Sequence, residues 1–349
     1  MTSATSSDGT ATATRDAAEP ALPGARGPLS AHVMAALRGE PGSLAPPPVD
    51  VRAADPLGDD AQLALYLCYE LHYRGFAGVD AEWEWDAGLL SLRGTWERAF
   101  LAALRAGTEP GSDATAALEP LLEEPVEGTG VSHHLLGKGE WWQMREYLAL
   151  RSVYHLKEAD PHAWVIPRLQ GQAKASLVAV EFDEFGGGRG ERLHARLFAD
   201  MMAQAGLDPA YGRYLDAAPT PMLAVVNMMS LFGLHRSLRG ALVGHFAAAE
   251  TSSSPSAFRM AKALQRLGAG PRGAFFYTEH VEADAVHEQV VRNEVMADLL
   301  DHEPALAQDV VLGIRATDFV EARLAEHILT NWHKDRTCLR RPLPQPATS

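Results

Sequence analysis

The sequence predicts an all-α protein, on three observations. Apolar residues recur at helical spacing through most of the chain from Asp59 onward. Clusters of glycine and proline separate these stretches. Strand-like alternation is nearly absent, and its best instance, Leu177 to Val180, sits inside a longer helical pattern.

Residues 1 to about 55 are rich in Ala, Thr, Ser, Gly and Pro, including Pro46, Pro47 and Pro48, and read as a disordered tail with room for a short helix near Ala31 to Leu37. The pattern changes at Asp59. Leu63, Leu65, Leu67, Tyr69 and Leu71 alternate, which makes a strand a rival, but the helix formers between them favour a helix ending near Gly75. From about 88 to 106, Leu89, Leu92, Trp96, Phe100 and Leu104 share one face, and Gly107, Pro110 and Gly111 then break the chain. Further helices are expected at about 113–124, 140–157, 161–185, 190–205, 220–248, 255–267, 271–302 and 304–331. We read a single helical domain over 56–340, with auxiliary helices at 56–125 and the part that carries the chemistry at 135–335.

With 46% hydrophobic residues in 349, the chain can bury a sizeable core. Its net charge of −14, from 45 acidic and 31 basic residues without a long basic run, argues against nucleic acid and anionic membrane surfaces as partners. Cys68 and Cys338 are far apart and belong to no CxxC pair, so neither a disulfide framework nor a thiolate zinc site is supported. The start lacks a basic segment followed by an apolar one, and no stretch approaches roughly 18 uninterrupted apolar residues. A cytoplasmic protein is expected.

Two segments carry ligand chemistry. In His280-Val-Glu-Ala-Asp284-Ala-Val-His287 the two imidazoles and the Asp284 carboxylate fall within about 60° of one another around a helix. Neutral nitrogen donors beside an anionic oxygen are what a metal needs, although a polar face with one core histidine would look the same. Glu191-Arg-Leu-His194 is the Glu-x-x-His pair of di-iron bundles, or else a capping acid beside a half-buried histidine. Glu184 stands seven residues before Glu191, but Gly186, Gly187, Gly188 and Gly190 leave its direction open. Those glycines fit neither a dinucleotide fingerprint nor a Walker loop, because Glu191-Arg192 stands where Gly or Gly-Lys is required. They read as a close backbone approach or an adjustable turn. Glu158, before Asp160-Pro161, is by itself equally well a surface acid.

The strings YHLKEADPHAWVIPRL, VEFDEFGGGRGERLHARLF and FYTEHVEADAVHEQVV, in this order, resemble the haem-oxygenase-like diiron oxidases and oxygenases, the iron-containing redox enzymes. The resemblance covers about 135–335 and implies an up-and-down bundle of about seven core helices. It also implies that Glu158, Glu184, Glu191, His194, His280, Asp284 and His287 ligate two non-haem iron ions. It further implies O₂ as co-substrate, an unidentified electron donor, a small-molecule substrate and a homodimer. Glu184 is placed like an extra carboxylate of members that oxygenate amine nitrogens, so N-oxygenation of a small amine, amino acid or carboxylate metabolite in a biosynthetic pathway is favoured over alkene-forming C–C cleavage. A non-catalytic helical scaffold is the rival outside enzymes. Phe198, Met201, Met202, Met228, Met229, Phe232 and Phe276 are candidates for a substrate pocket or for plain core, with Arg168, Arg196 or Arg236 as partners for a charged substrate group.

Overall fold

The computed structural model describes residues 19–122 and 128–343, with the side chains of 282–285 outside the described set. Among the described residues there is no strand. The helices are α1 (Pro28–Leu37), α2 (Asp59–Glu70), α3 (Ala87–Ala106), α4 (Ala114–Leu122), α5 (Val131–Gly137), α6 (Trp141–His155), α7 (Asp160–Ala163), α8 (Gly171–Glu184), α9 (His194–Gln204), α10 (Thr220–Leu234), α11 (Arg239–Arg266), α12 (Pro271–Val290), α13 (Ala297–His302) and α14 (Ala307–Trp332). None is long and apolar enough to cross a membrane.

α2 is a helix, not the rival strand. Every residue from Ala61 to Glu70 is buried, because α1 covers one side and α10 another. A helix wrapped on all sides has no amphipathic stripe to show, which is why its leucines misleadingly alternate. The short helix allowed for near Ala31 to Leu37 forms, as α1 from Pro28, and it is packed into the core instead of lying in a free tail. Leu29, Val33, Met34 and Leu37 of α1 enter the common core, and Asp60 receives the Leu29 and Ser30 amides at 2.8 Å each, capping the N-terminus of α1 from α2.

The expected helix at 161–185 is divided into α7, a 3-10 turn at Ile166–Arg168 and α8. The expected break between 248 and 255 falls instead at 235–238, and α11 runs through Pro255. Ser252 and Ser253 donate to the carbonyls of Ala248 (2.9 Å) and Glu250 (3.1 Å) in the turn before that proline.

At the centre α11 packs along α12 and α14, and α10 lies against α2, α6 and α14. Glycines let α11 and α14 touch backbone to backbone. A Cβ on Gly244 would lie 2.0 Å from the Val310 carbonyl oxygen, and one on Gly313 would lie 2.0 Å from that of Ala241. Both contacts are with rigid main chain, so neither can yield cheaply.

A second tie joins the N-terminal helices to the turn after α6. Buried Lys157 sits 2.9 Å from buried Glu70, whose other oxygen accepts from the Tyr211 hydroxyl at 2.6 Å. The Tyr73 ring lies 4.2 Å from the ammonium, and Arg74 donates to the Leu156 carbonyl at 2.9 Å. Such a pair is tolerable without water only because both charges have partners.

Gly244→Ala and Gly313→Ala are each expected to lower stability by about 2–3 kcal/mol, read from denaturant midpoints. Gly94→Ala, where the new methyl meets only the end of Arg98 at 3.5 Å, is expected to be neutral or stabilising. Equal effects at all three positions would contradict the close crossing.

Candidate metal centre

Five structural segments bring their acids and histidines to one buried place. Glu158 follows the end of α6. Its neighbour Lys157 is held by Glu70, so the chain turns the two side chains to different partners, and the Glu158 Oε2 lies 3.0 Å from the Nδ1 of His155.

α8 ends on Glu184, and Gly186, Gly187 and Gly188 follow with φ of 72°, 62° and 77°. Three successive left-handed residues strongly favour glycine. At Gly186 a Cβ would also lie 2.6 Å from the Arg192 carbonyl carbon, which bears out the expected close backbone approach. The reversal starts α9 at His194, whose Nδ1 lies 2.6 Å from the Glu184 Oε2. Glu191 is left exposed on the 3-10 turn Gly190–Arg192. The structure therefore does not bring Glu191 to His194 as one helical face; the straight helix assumed for Glu-x-x-His begins only at the histidine.

α12 supplies His280 and His287, two turns apart. The Nδ1–H of His280 donates to the Phe276 carbonyl at 2.8 Å, so its Nε2 carries the lone pair, and that atom has no hydrogen-bond partner among the described residues. His287 Nδ1 lies 3.4 Å from the Glu250 Oε2 of α11 and 3.6 Å from the Glu184 Oε1, with Asp183 3.3 Å from its Nε2. The side chain of Asp284 lies outside the described residues. Just past His287 the helix widens into a π turn over Val291–Met296, a distortion frequent near functional sites.

Donor atoms of Glu158, Glu184, His194 and His280 all lie within 4.8 Å of one another, and so do those of Glu184, Glu250 and His287. Every member is buried, and Glu184 belongs to both groups. Glu250 was not foreseen. Nothing in AAAETSSSPS carries a ligand spacing, since its partners come from other helices.

The electrostatics are those of an anion-rich, poorly hydrated site. Burial pushes the Glu158 carboxyl up, yet His155, His280 and His194 together pull it down to about 2. Burial pulls the His287 imidazole down, but Glu250, Glu184 and Asp183 raise it to about 9. Glu181, a turn before Glu184, is held well above the usual carboxylate range by burial and then by Glu184 and Glu250, and neither of its oxygens has a partner among the described residues. Carboxylates with imidazoles, one aimed inward as a bare lone pair, form a donor set that fits iron or manganese.

A cavity of about 400 Å³ opens from Glu158, Glu184, Glu250 and His280. Tyr147, Tyr154 and Tyr277 line it, with His162, His245, Arg151 and Glu321. Of the expected pocket residues only Met229 and Phe276 reach it, and the other five are buried core. None of Arg168, Arg196 and Arg236 lines it. Phe276 wedges between the rings of His155, Phe198 and His280, at centroid distances of 5.1, 5.0 and 4.2 Å.

Residues 145–322 match a protein-family model described as iron-containing redox enzyme. No curated protein matches the chain.

For the metal-free chain, Glu181→Gln is expected to raise the melting temperature at pH 7 and to have less effect near pH 5. The folded carboxyl titrates above the unfolded one, so folding takes up a proton between the two values and stability falls as pH rises through that window. Melting curves of both proteins across pH check this, and a benefit that is largest at acid pH would contradict it.

Proposed function

The chain belongs to the iron-containing redox enzyme family, and we propose that it is a non-haem diiron enzyme that activates O₂ to oxidise a small metabolite, with N-oxygenation of an amine favoured, in a biosynthetic pathway. The observation that carries the reading is Glu184, whose carboxylate is common to two buried clusters of ligand atoms. One iron would be held by Glu158, Glu184, His194 and His280. The other would be held by Glu184, Glu250 and His287, with Asp284 as a further candidate. Iron held by these residues would supply the electrons for O₂ activation, with an external donor as the source of reducing equivalents.

The rest of the work falls to the protein. His280 is fixed in the tautomer a metal requires by its bond to the Phe276 carbonyl. Phe276 packs on the ring of His280, and the deep burial of Tyr154 and Tyr277, which line the cavity, keeps their phenols protonated. With Glu191 exposed, Glu184 fills a core position instead of adding an extra carboxylate, so the preference for amines rests on the cavity wall. There Arg151 is matched by Glu321 through bonds of 2.7 and 2.6 Å, and Asp318 is an acid in surplus, which suits a cationic substrate. The reading also includes a homodimer in the cytoplasm.

Anaerobic titration with Fe(II) is expected to load about two ions per chain. Glu184→Ala should lose both, and Glu191→Ala should keep both. Normal loading in Glu184→Ala would overturn the shared carboxylate. A second check is mass spectrometry of primary amines incubated with the loaded enzyme, O₂ and a reductant, where the gain of one oxygen atom on nitrogen is expected. Oxygen gained only on carbon would overturn the amine preference.

A further inference from the structure

On the side of the cavity built by α7, α11 and α14 stand two histidines that the proposed metal sites do not use. His162 and His245 both line the cavity and are buried, at 3% and 1% exposure, with ring centroids 5.2 Å apart. Neither nitrogen of His162, nor the Nε2 of His245, has a hydrogen-bond partner among the described residues. Buried polar atoms are rarely left so unless a ligand or water completes them.

The tautomer of His245 follows from its other nitrogen. Nδ1 lies 2.8 Å from the Thr317 hydroxyl oxygen, and that hydroxyl donates its single proton to the Gly313 carbonyl at 2.8 Å. Its oxygen can then only accept from the imidazole, so Nδ1 carries the ring proton. Burial, which pushes this imidazole down to about 4, keeps the ring neutral near pH 7. Nε2 is left as a bare lone pair on a ring that lines the cavity. The arrangement is rigid, because Gly313 and Thr317 lie on the stretch of α14 that presses against the α11 backbone, where a Cβ on Gly313 would come 2.8 Å from the His245 nitrogen of the main chain.

The surrounding charge favours a donor over an anion. Among the described lining residues Arg151 is the one Arg or Lys, and Glu321 holds it at two points. A carboxylate placed here would meet the lone pair of His245 and no unmatched cation.

We propose that His245 selects and orients the substrate, accepting at Nε2 a hydrogen bond from the N–H or O–H of an ammonium, amine or alcohol group. The proposal rests on reading the cavity as the substrate pocket of the diiron enzyme. His245 positions the substrate, and Thr317 positions His245.

The test is calorimetric binding of hexylammonium, 1-hexanol and hexanoate to the full chain loaded anaerobically with Fe(II). Hexylammonium and 1-hexanol are expected to bind at least about tenfold more tightly than hexanoate. His245→Leu should bring the three affinities together, and so should Thr317→Val, which leaves the imidazole but frees its tautomer. His245→Gln, which retains an acceptor, should keep part of the preference. Preference for hexanoate, an unchanged preference in His245→Leu, or binding of none of the three to the iron-loaded protein would overturn the proposal. Long-range ¹H–¹⁵N correlation of the Zn(II)-loaded protein, labelled at histidine and assigned with His245→Gln, reads the tautomer directly, and a protonated Nε2 would also overturn it. If iron fails to load while the preference and its loss in the variants persist, the diiron reading falls and this one stands.

Discussion

Three carboxylates, those of Glu158, Glu184 and Glu250, are buried around one point, and among the described residues the groups facing them there are imidazoles. Burying like charges together is among the least favourable arrangements a fold can contain unless a cation joins them. The high pKa of His287, which Glu250, Glu184 and Asp183 raise, and the low pKa of Glu158 are two sides of that strain. Glu181, with no histidine on its oxygens, is pushed toward the neutral acid instead. A divalent metal relieves the whole set, and much of the architecture can be understood as what holds these acids in place before it arrives.

Three devices do the holding. The glycine turn after α8 folds the chain back so that Glu184 and His194, ten residues apart, meet within 2.6 Å. The Lys157–Glu70 pair anchors the turn that bears Glu158 to the N-terminal helices, which lie outside the matched span of 145–322. The glycine contact between α11 and α14 sets the helix that carries both Glu250 and His245. Glu250 of the candidate metal site and His245 of the cavity wall thus share one rigid element.

The helical class, and several individual elements such as α3, α6 and α14, were legible in the sequence because their apolar faces follow the helical period. α2 was legible as a helix from the helix formers between its alternating leucines, and room for a short helix was visible near Ala31 to Leu37, where α1 forms. The break between α10 and α11 was not legible, because 235–238 carries neither glycine nor proline. In the site, His280 and His287 were readable because one helix carries both at a ligand spacing. Glu191 misled, since its spacing to His194 assumed a continuous helix that the glycine turn prevents. Glu250, His162 and His245 leave no local signal, because only tertiary packing, of α11 against α12 and beside the end of α8 for Glu250 and of α7, α11 and α14 for the two histidines, brings them to the cluster and the cavity.

The central claim is that Glu184 stands between two metal positions. Crystals of the protein loaded anaerobically with Fe(II), measured at the iron absorption edge, test it most directly. Two anomalous peaks are predicted, one among Glu158, His194 and His280 and one between Glu250 and His287, with Glu184 touching both. A single peak, or iron bound away from Glu184, would contradict the account.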